Sequence, residues 1–267
     1  MKKTFFGIFV VLISFVSSAL GANFTGMWWD PSKEGTGVFM EHLDTDNCVC
    51  GAWYFYDESG NPIWTTFFGG ISAGRLTSNL YSFTGPSFGA TWDASQIHSK
   101  AVGTVTFDFL SDSSITMSYQ VFGASGKLNL TLFSMDVCPG WLWWDPERPG
   151  QGVAFFPMGE LGENEQIAVV WYVYDTTGNP VWYTALGPAR EGNALDAYHY
   201  TGPPAGQAWD TSKLIRTTVG SINMGNMQAA MMTGGELLMP KNTMTYHIQG
   251  ISDTLNLEPF WCSPLCK

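Results

Sequence analysis

From residue 23 onward, apolar and polar positions alternate in short runs with a period of two, and turn chemistry breaks each run. No stretch of useful length carries the 3.6-residue repeat of an amphipathic helix. In the first half the pattern predicts strands at 24–30, 35–42, 48–57, 62–70, 76–84, 102–111, 114–122 and 127–134. Asp-Pro, Glu-Ser-Gly-Asn-Pro, Thr-Gly-Pro and Ala-Ser-Gly separate them. Eight strands with short connections pair as antiparallel neighbours. Such a meander removes its edges most simply by closing into a small barrel, with a two-sheet sandwich as the alternative.

The pattern is then repeated. WWDPSKEGTGV (28–38) returns as WWDPERPGQGV (143–153), WYFYDESGNPIWTT (53–66) as WYVYDTTGNPVWYT (171–184), and YSFTGPSFGATWDASQI (81–97) as YHYTGPPAGQAWDTSKL (198–214). The offsets are 115, 118 and 117 residues, so a whole unit is duplicated. The second unit predicts strands at 140–145, 151–158, 166–175, 180–187, 194–201, 217–224, 242–249 and 253–259. The expectation is all-β: a domain at 22–138, a second at 139–262 and a tail at 263–267, with the boundary near Cys138-Pro139-Gly140. The second unit departs from the first by an insertion around 226–241.

The runs around residues 53 and 171 have one unusual property. Alternation puts Trp53 and Phe55 on one face of a strand and Tyr54 and Tyr56 on the other, so both faces are aromatic. One face serves a core. The other needs a neighbouring domain or a ligand to cover it.

At the start of the chain, Lys2 and Lys3 precede an apolar run from Phe5 to Val16, with small residues at Ala19 and Gly21. This is the pattern of a secretory signal peptide over 1–21, giving a periplasmic or extracellular product beginning near Ala22. No later segment approaches the roughly 20 apolar residues of a helical membrane span. Without Lys2 and Lys3, 10 basic residues face 23 acidic ones, a net charge of −13 that disfavours nucleic acid as a partner. In an exported chain, Cys48, Cys50, Cys138, Cys262 and Cys266 favour at least one disulfide and leave one thiol over. Cys138 with Cys48 or Cys50, and Cys262 with Cys266, is the expected pairing.

The three blocks, in the same order twice, resemble a widespread and largely uncharacterised family of secreted proteobacterial β-repeat proteins. That resemblance covers nearly all of the mature chain and implies export and a β-rich module, with no activity to carry over. Gly26-Met27-Trp28 is also faintly similar to the first strand of avidin-type and lipocalin-type barrels.

The candidate ligand-binding residues are the aromatic set Trp29, Trp53, Tyr54, Tyr56, Trp64 and Trp92, repeated as Trp144, Trp171, Tyr172, Tyr174, Trp182 and Trp209. Aromatic faces with polar edges suit the C–H faces and hydroxyls of a sugar, or a small amphipathic ligand. Core and interdomain packing would leave the same duplicated residues. Asp30, Glu34, Asp145 and Glu147 in the Asp-Pro loops offer carboxylates, although too few for a recognisable Ca²⁺ loop, and a structural turn is the simpler reading. In the stretch 223–244 around the insertion, Met224, Met227, Met231 and Met232 offer soft thioethers that suit Cu(I), with His199 or His247 to complete a site; Met is more simply a filler of irregular cores.

Catalytic patterns are sparse. There is no G-x-S-x-G or H-E-x-x-H, and the four histidines His42, His98, His199 and His247 do not recur between the units. Asp93 and Asp210 could form part of a carboxylate pair for glycan hydrolysis, or cap the turns that follow them. The combined expectation is a non-catalytic binding module without a cofactor. A secreted glycan hydrolase, an envelope interaction protein and a methionine-rich copper binder are the alternatives.

Overall fold

The computed structural model describes residues 23–43, 47–134, 142–158, 166–188, 194–225, 231–233, 236–238 and 241–260. The chain folds into two closed antiparallel barrels of eight strands. The first runs β1 (Gly26–Trp29), β2 (Gly37–Leu43), β3 (Cys48–Tyr56), β4 (Pro62–Gly70), β5 (Arg75–Thr84), β6 (His98–Ser111), β7 (Ser114–Val121) and β8 (Ala124–Ser134). It closes where β1 pairs with β8 at Trp28 and Leu132. The chain then continues through β9 (Leu142–Trp144), β10 (Gly152–Met158), β11 (Gln166–Tyr174), β12 (Pro180–Pro188), β13 (Ala194–Thr201) and β14 (Ile215–Met224). After a separate hairpin of β15 (Met231–Thr233) and β16 (Glu236–Leu238), it ends with β17 (Asn242–Ile248) and β18 (Ile251–Pro259). The second barrel closes through β9 and β18, which pair Trp144 with Glu258.

The barrel therefore prevails over the sandwich, and every connection within each barrel is to the next strand or to the closing one. The predicted strands recur with small shifts. β6 begins at His98 rather than 102 and β14 at Ile215 rather than 217, each directly after a 3₁₀ turn at Ala94–Gln96 or Thr211–Lys213. Those turns are capped by Asp93 and Asp210, whose carboxylates accept the Ser95 and Ser212 N–H groups. The signal peptide, Cys138, Cys262, Cys266 and Met227 lie outside the described residues.

Each barrel interior is filled by inward-facing, mostly apolar residues. In barrel 1, Trp28, Val38, Trp53, Phe67, Leu80 and Phe107 belong to one buried cluster; in barrel 2, Val153, Phe155, Trp171, Tyr183, Ile222 and Leu255 do the same. A third buried cluster draws on both barrels, with Phe39, Tyr56 and Trp64 from the first and Phe156, Tyr172, Tyr174 and Trp182 from the second. The opposite faces of WYFYD thus divide: Trp53 and Phe55 fill a barrel, while Tyr56 fills the seam between barrels.

The seam is reciprocal. Trp64 Nε1 donates to the Val173 carbonyl at 3.1 Å and Trp182 Nε1 to the Phe55 carbonyl at 3.3 Å. The Thr-Gly-Pro loop of each unit crosses to the other: Gly85 N–H donates to Gly178 O, and Gly202 N–H to Gly60 O, both at 3.0 Å. Gly85 and Gly202 are required by contact, because a Cβ would lie 2.2 Å from the Tyr174 ring or 2.4 Å from the Tyr56 ring. Equivalent segments of two similar units make equivalent bonds in both directions, which gives the pair a pseudo-two-fold relation.

Asp30 and Asp145 are structural clamps at the mouths of the barrels. Asp30 Oδ1 accepts from Ser32 N–H and its hydroxyl, while Oδ2 accepts from Asn129 N–H on β8 at 3.0 Å; Asp145 repeats this with Glu147 N–H and with Asn256 N–H on β18. Burial alone would raise the Asp30 pKa, but the hydrogen bonds from Ser32 and Asn129 and the charge of Lys33 bring it below the usual value of 3.8. Because the folded pKa is the lower one, this stabilisation is present above pH 4 and is lost as pH falls through the folded pKa. Asp30→Asn is expected to lower stability by about 1.5–3 kcal/mol at pH 7. Urea unfolding of both proteins at pH 7 and pH 3 checks this: the gap between them should narrow in acid.

Candidate functional site

The two barrels do not meet evenly, and among the described residues two larger depressions lie along their junction. The first is an apolar cleft of about 360 Å³, walled by Trp29, Tyr54 and Phe133 from barrel 1 and by Trp182, Leu186 and Tyr198 from barrel 2. Trp29 is half-buried at the end of β1 and meets Phe133 edge-on at 5.3 Å. Tyr54 projects from β3 with its hydroxyl 3.1 Å from Met27 Sδ, and its ring meets Trp182 at 5.3 Å. The polar groups of the cleft include Glu34, Thr184 and Arg216, whose guanidinium carbon sits 4.6 Å from the centroid of the Tyr198 ring. Leu186 and Phe133 are 52% and 39% exposed, so the cleft presents apolar surface to solvent.

The second depression is a groove of about 1150 Å³ across the pseudo-two-fold relation. Equivalent positions face it from both barrels, including Asn61 with Asn179, Ser82 with His199, and Phe122 with Gln249. The turns that carry Asn61 and Asn179 are held by Asp57 and Asp175, each of which accepts the N–H groups two and four residues ahead. Burial lowers the pKa of His199, so its imidazole is neutral around pH 7.

The predicted aromatic set is thereby divided by location. Trp53 and Trp171 are barrel interior; Trp171 Nε1 donates to Gln151 Oε1, whereas the buried Trp53 Nε1 has no hydrogen-bond partner. Tyr56, Trp64, Tyr172, Tyr174 and Trp182 form the seam, and Trp92 and Trp209 pack against it. Tyr56 and Tyr174 donate to the carbonyls of Gly35 and Gly150. Trp144 is half-buried and meets Phe260 edge-on at 5.9 Å. Only Trp29, Tyr54 and Trp182 of the twelve wall the cleft. Burial raises the phenol pKa values of Tyr54, Tyr172 and Tyr174, which keeps all three hydroxyls protonated in any physiological range.

Several cleft residues were not singled out by sequence. Tyr198 begins a repeated block and was within reach; Phe133, Leu186 and Arg216 lie on three separate strands or strand ends, where alternation alone gives no reason to choose them. Met224 is buried in barrel 2 and pairs across β14 and β17 with the equally buried Met244, so its thioether serves the core. Met231 and Met232 lie on β15. Among the described residues no group of three or more His, Cys, Asp or Glu side chains is placed to hold a metal ion. Cys48 and Cys50 are buried on the outward face of β3. Among the described residues no helix is long and apolar enough to cross a membrane.

Comparison of the chain with protein-family models, with curated proteins and with solved structures finds no match.

Proposed function

We propose that this is an exported binding module that holds a small amphipathic ligand in the apolar cleft between its two barrels. The observation that carries the reading is the cleft itself: aromatic walls from both barrels, partly exposed Phe133 and Leu186, and a small set of polar groups around Glu34 and Arg216. Its volume is at the lower end of the range of about 300–1,000 Å³ found for small-molecule sites, which fits one compact ligand. A guanidinium held over an aromatic ring is available to a polar or anionic head, while Trp29, Tyr54, Phe133 and Leu186 take the apolar body. The carboxylates that sequence offers for hydrolysis, Asp93 and Asp210, are engaged as turn caps, which favours binding over catalysis. The leader-like Lys2–Gly21 pattern and the resemblance of the three repeated blocks support the export part of this reading.

The test uses the fluorescent amphiphile anilinonaphthalene sulfonate on the folded protein, with Leu186→Glu and Trp29→Ala as variants. Both positions are at least partly exposed, so the fold should survive. Each substitution is expected to weaken probe binding at least about tenfold, equivalent to about 1.4 kcal/mol. Unchanged affinity in both variants would remove the cleft as the site.

A further inference from the structure

The larger groove has a property that the cleft reading does not use. Its rim includes the tips of two equivalent hairpins, Phe122-Gly123 between β7 and β8 and Gln249-Gly250 between β17 and β18. Both residues of each tip have positive φ, with Phe122 at 48° and Gly123 at 82°, and Gln249 at 51° and Gly250 at 80°. A two-residue hairpin of this kind selects Asn-Gly or Asp-Gly, because Asn and Asp tolerate the left-handed region and bulky side chains do not. The chain instead places phenylalanine at one tip and glutamine at the other. Phe122 is 55% exposed, so burial does not compensate for its backbone conformation.

The remaining groups define what such an aromatic could serve. Within the groove stand carboxamides of Asn61, Asn179 and Gln207, hydroxyls of Ser82 and Thr84, and the neutral imidazole of His199. Asp57, Glu58 and Asp175 also line it, and no lysine or arginine does so among the described residues. The set is rich in planar donor–acceptor groups, carries an exposed aromatic platform and repels anions. Its volume exceeds that of most single small-molecule sites and suits an extended ligand.

We infer that this groove is a second binding site, for an oligosaccharide chain without anionic groups, with Phe122 stacking on a sugar ring and the amides of Asn61, Asn179 and Gln249 addressing hydroxyls. The inference is independent of the amphiphile cleft, since the two sites share no lining residue. It gives a reason for the turn residues: Phe122 stays in a conformation that asparagine would adopt more readily because the platform is needed there.

The experiment is calorimetric titration of the full chain with cellohexaose, chitohexaose and a hexamer of galacturonic acid. Binding of at least one of the first two and none of the anionic hexamer is expected. The decisive variant is Phe122→Asn, which suits the turn and removes the platform. It should unfold at equal or higher urea concentration than the parent while its affinity for the neutral hexamer falls at least about tenfold. Absence of heat with both neutral hexamers, preferential binding of the anionic one, or unchanged affinity in Phe122→Asn would overturn the proposal. The amphiphile probe should bind Phe122→Asn as it binds the parent, which separates failure here from failure of the cleft reading.

Discussion

Replacing Trp182 by alanine is expected to destabilise the protein by about 3–5 kcal/mol and to unfold both barrels in one step. The indole is 1% exposed and lies between barrels rather than inside either. It stacks on Tyr200 at 5.6 Å, meets Tyr54 at 5.3 Å and Tyr56 at 5.7 Å, and donates to the Phe55 carbonyl. Truncation removes these contacts, leaves a cavity at the seam and takes away the indole donor of a buried carbonyl. Trp64→Ala removes the equivalent bond in the other direction and should cost a similar amount. Urea unfolding followed by far-ultraviolet circular dichroism and by fluorescence tests the coupling. Coincident transitions that move together are expected; a variant in which one barrel melts before the other would show that the seam does not bind them into one cooperative unit.

The architecture was legible because its signal is local. Alternation in WYFYD and its neighbours marks strands, Asp57 and Gly60 mark the turn between β3 and β4, and three ordered blocks mark the duplication. Closure was legible only as one of two outcomes: eight short strands leave two edges that a barrel removes, but local pattern leaves a two-sheet sandwich equally open, and the long-range pairing of β1 with β8 and of β9 with β18 decides it. The partner of each outward face was not legible. Period two says that Tyr54 and Tyr56 share a face, but it does not say that Tyr56 belongs to a buried seam while Tyr54 borders an open cleft. That distinction depends on how two barrels tilt against each other, which is written in no short segment. The cleft residues Phe133, Leu186 and Arg216 come together only after closure and docking, and Phe122 was hidden because a hairpin tip reads as a turn whatever its side chain does.

The reciprocal seam also carries a compensating exchange, and Phe88→Ala is expected to expose it with a loss of about 3–5 kcal/mol. Phe88 comes from the Thr-Gly-Pro loop of the first unit, yet it is 7% exposed in the core cluster of barrel 2. There it lies 5.7 Å from Trp171, 6.1 Å from Tyr183 and 5.6 Å from Tyr246. The equivalent loop of the second unit brings only Ala205 to the core of barrel 1. Barrel 1 supplies its own ring in place of that loop: Phe55 stacks on Trp53 at 3.9 Å, where barrel 2 has Val173 beside Trp171. One barrel therefore fills the space beside its tryptophan from within, and the other fills it from its neighbour. Phe88→Ala combined with Val173→Phe would give barrel 2 the arrangement that barrel 1 already has, and most of the lost stability should return. A double-mutant cycle in urea reads the coupling directly, with a favourable interaction energy expected between the two changes. If the double variant is no more stable than Phe88→Ala alone, the two rings do not occupy equivalent space and the exchange is not compensating.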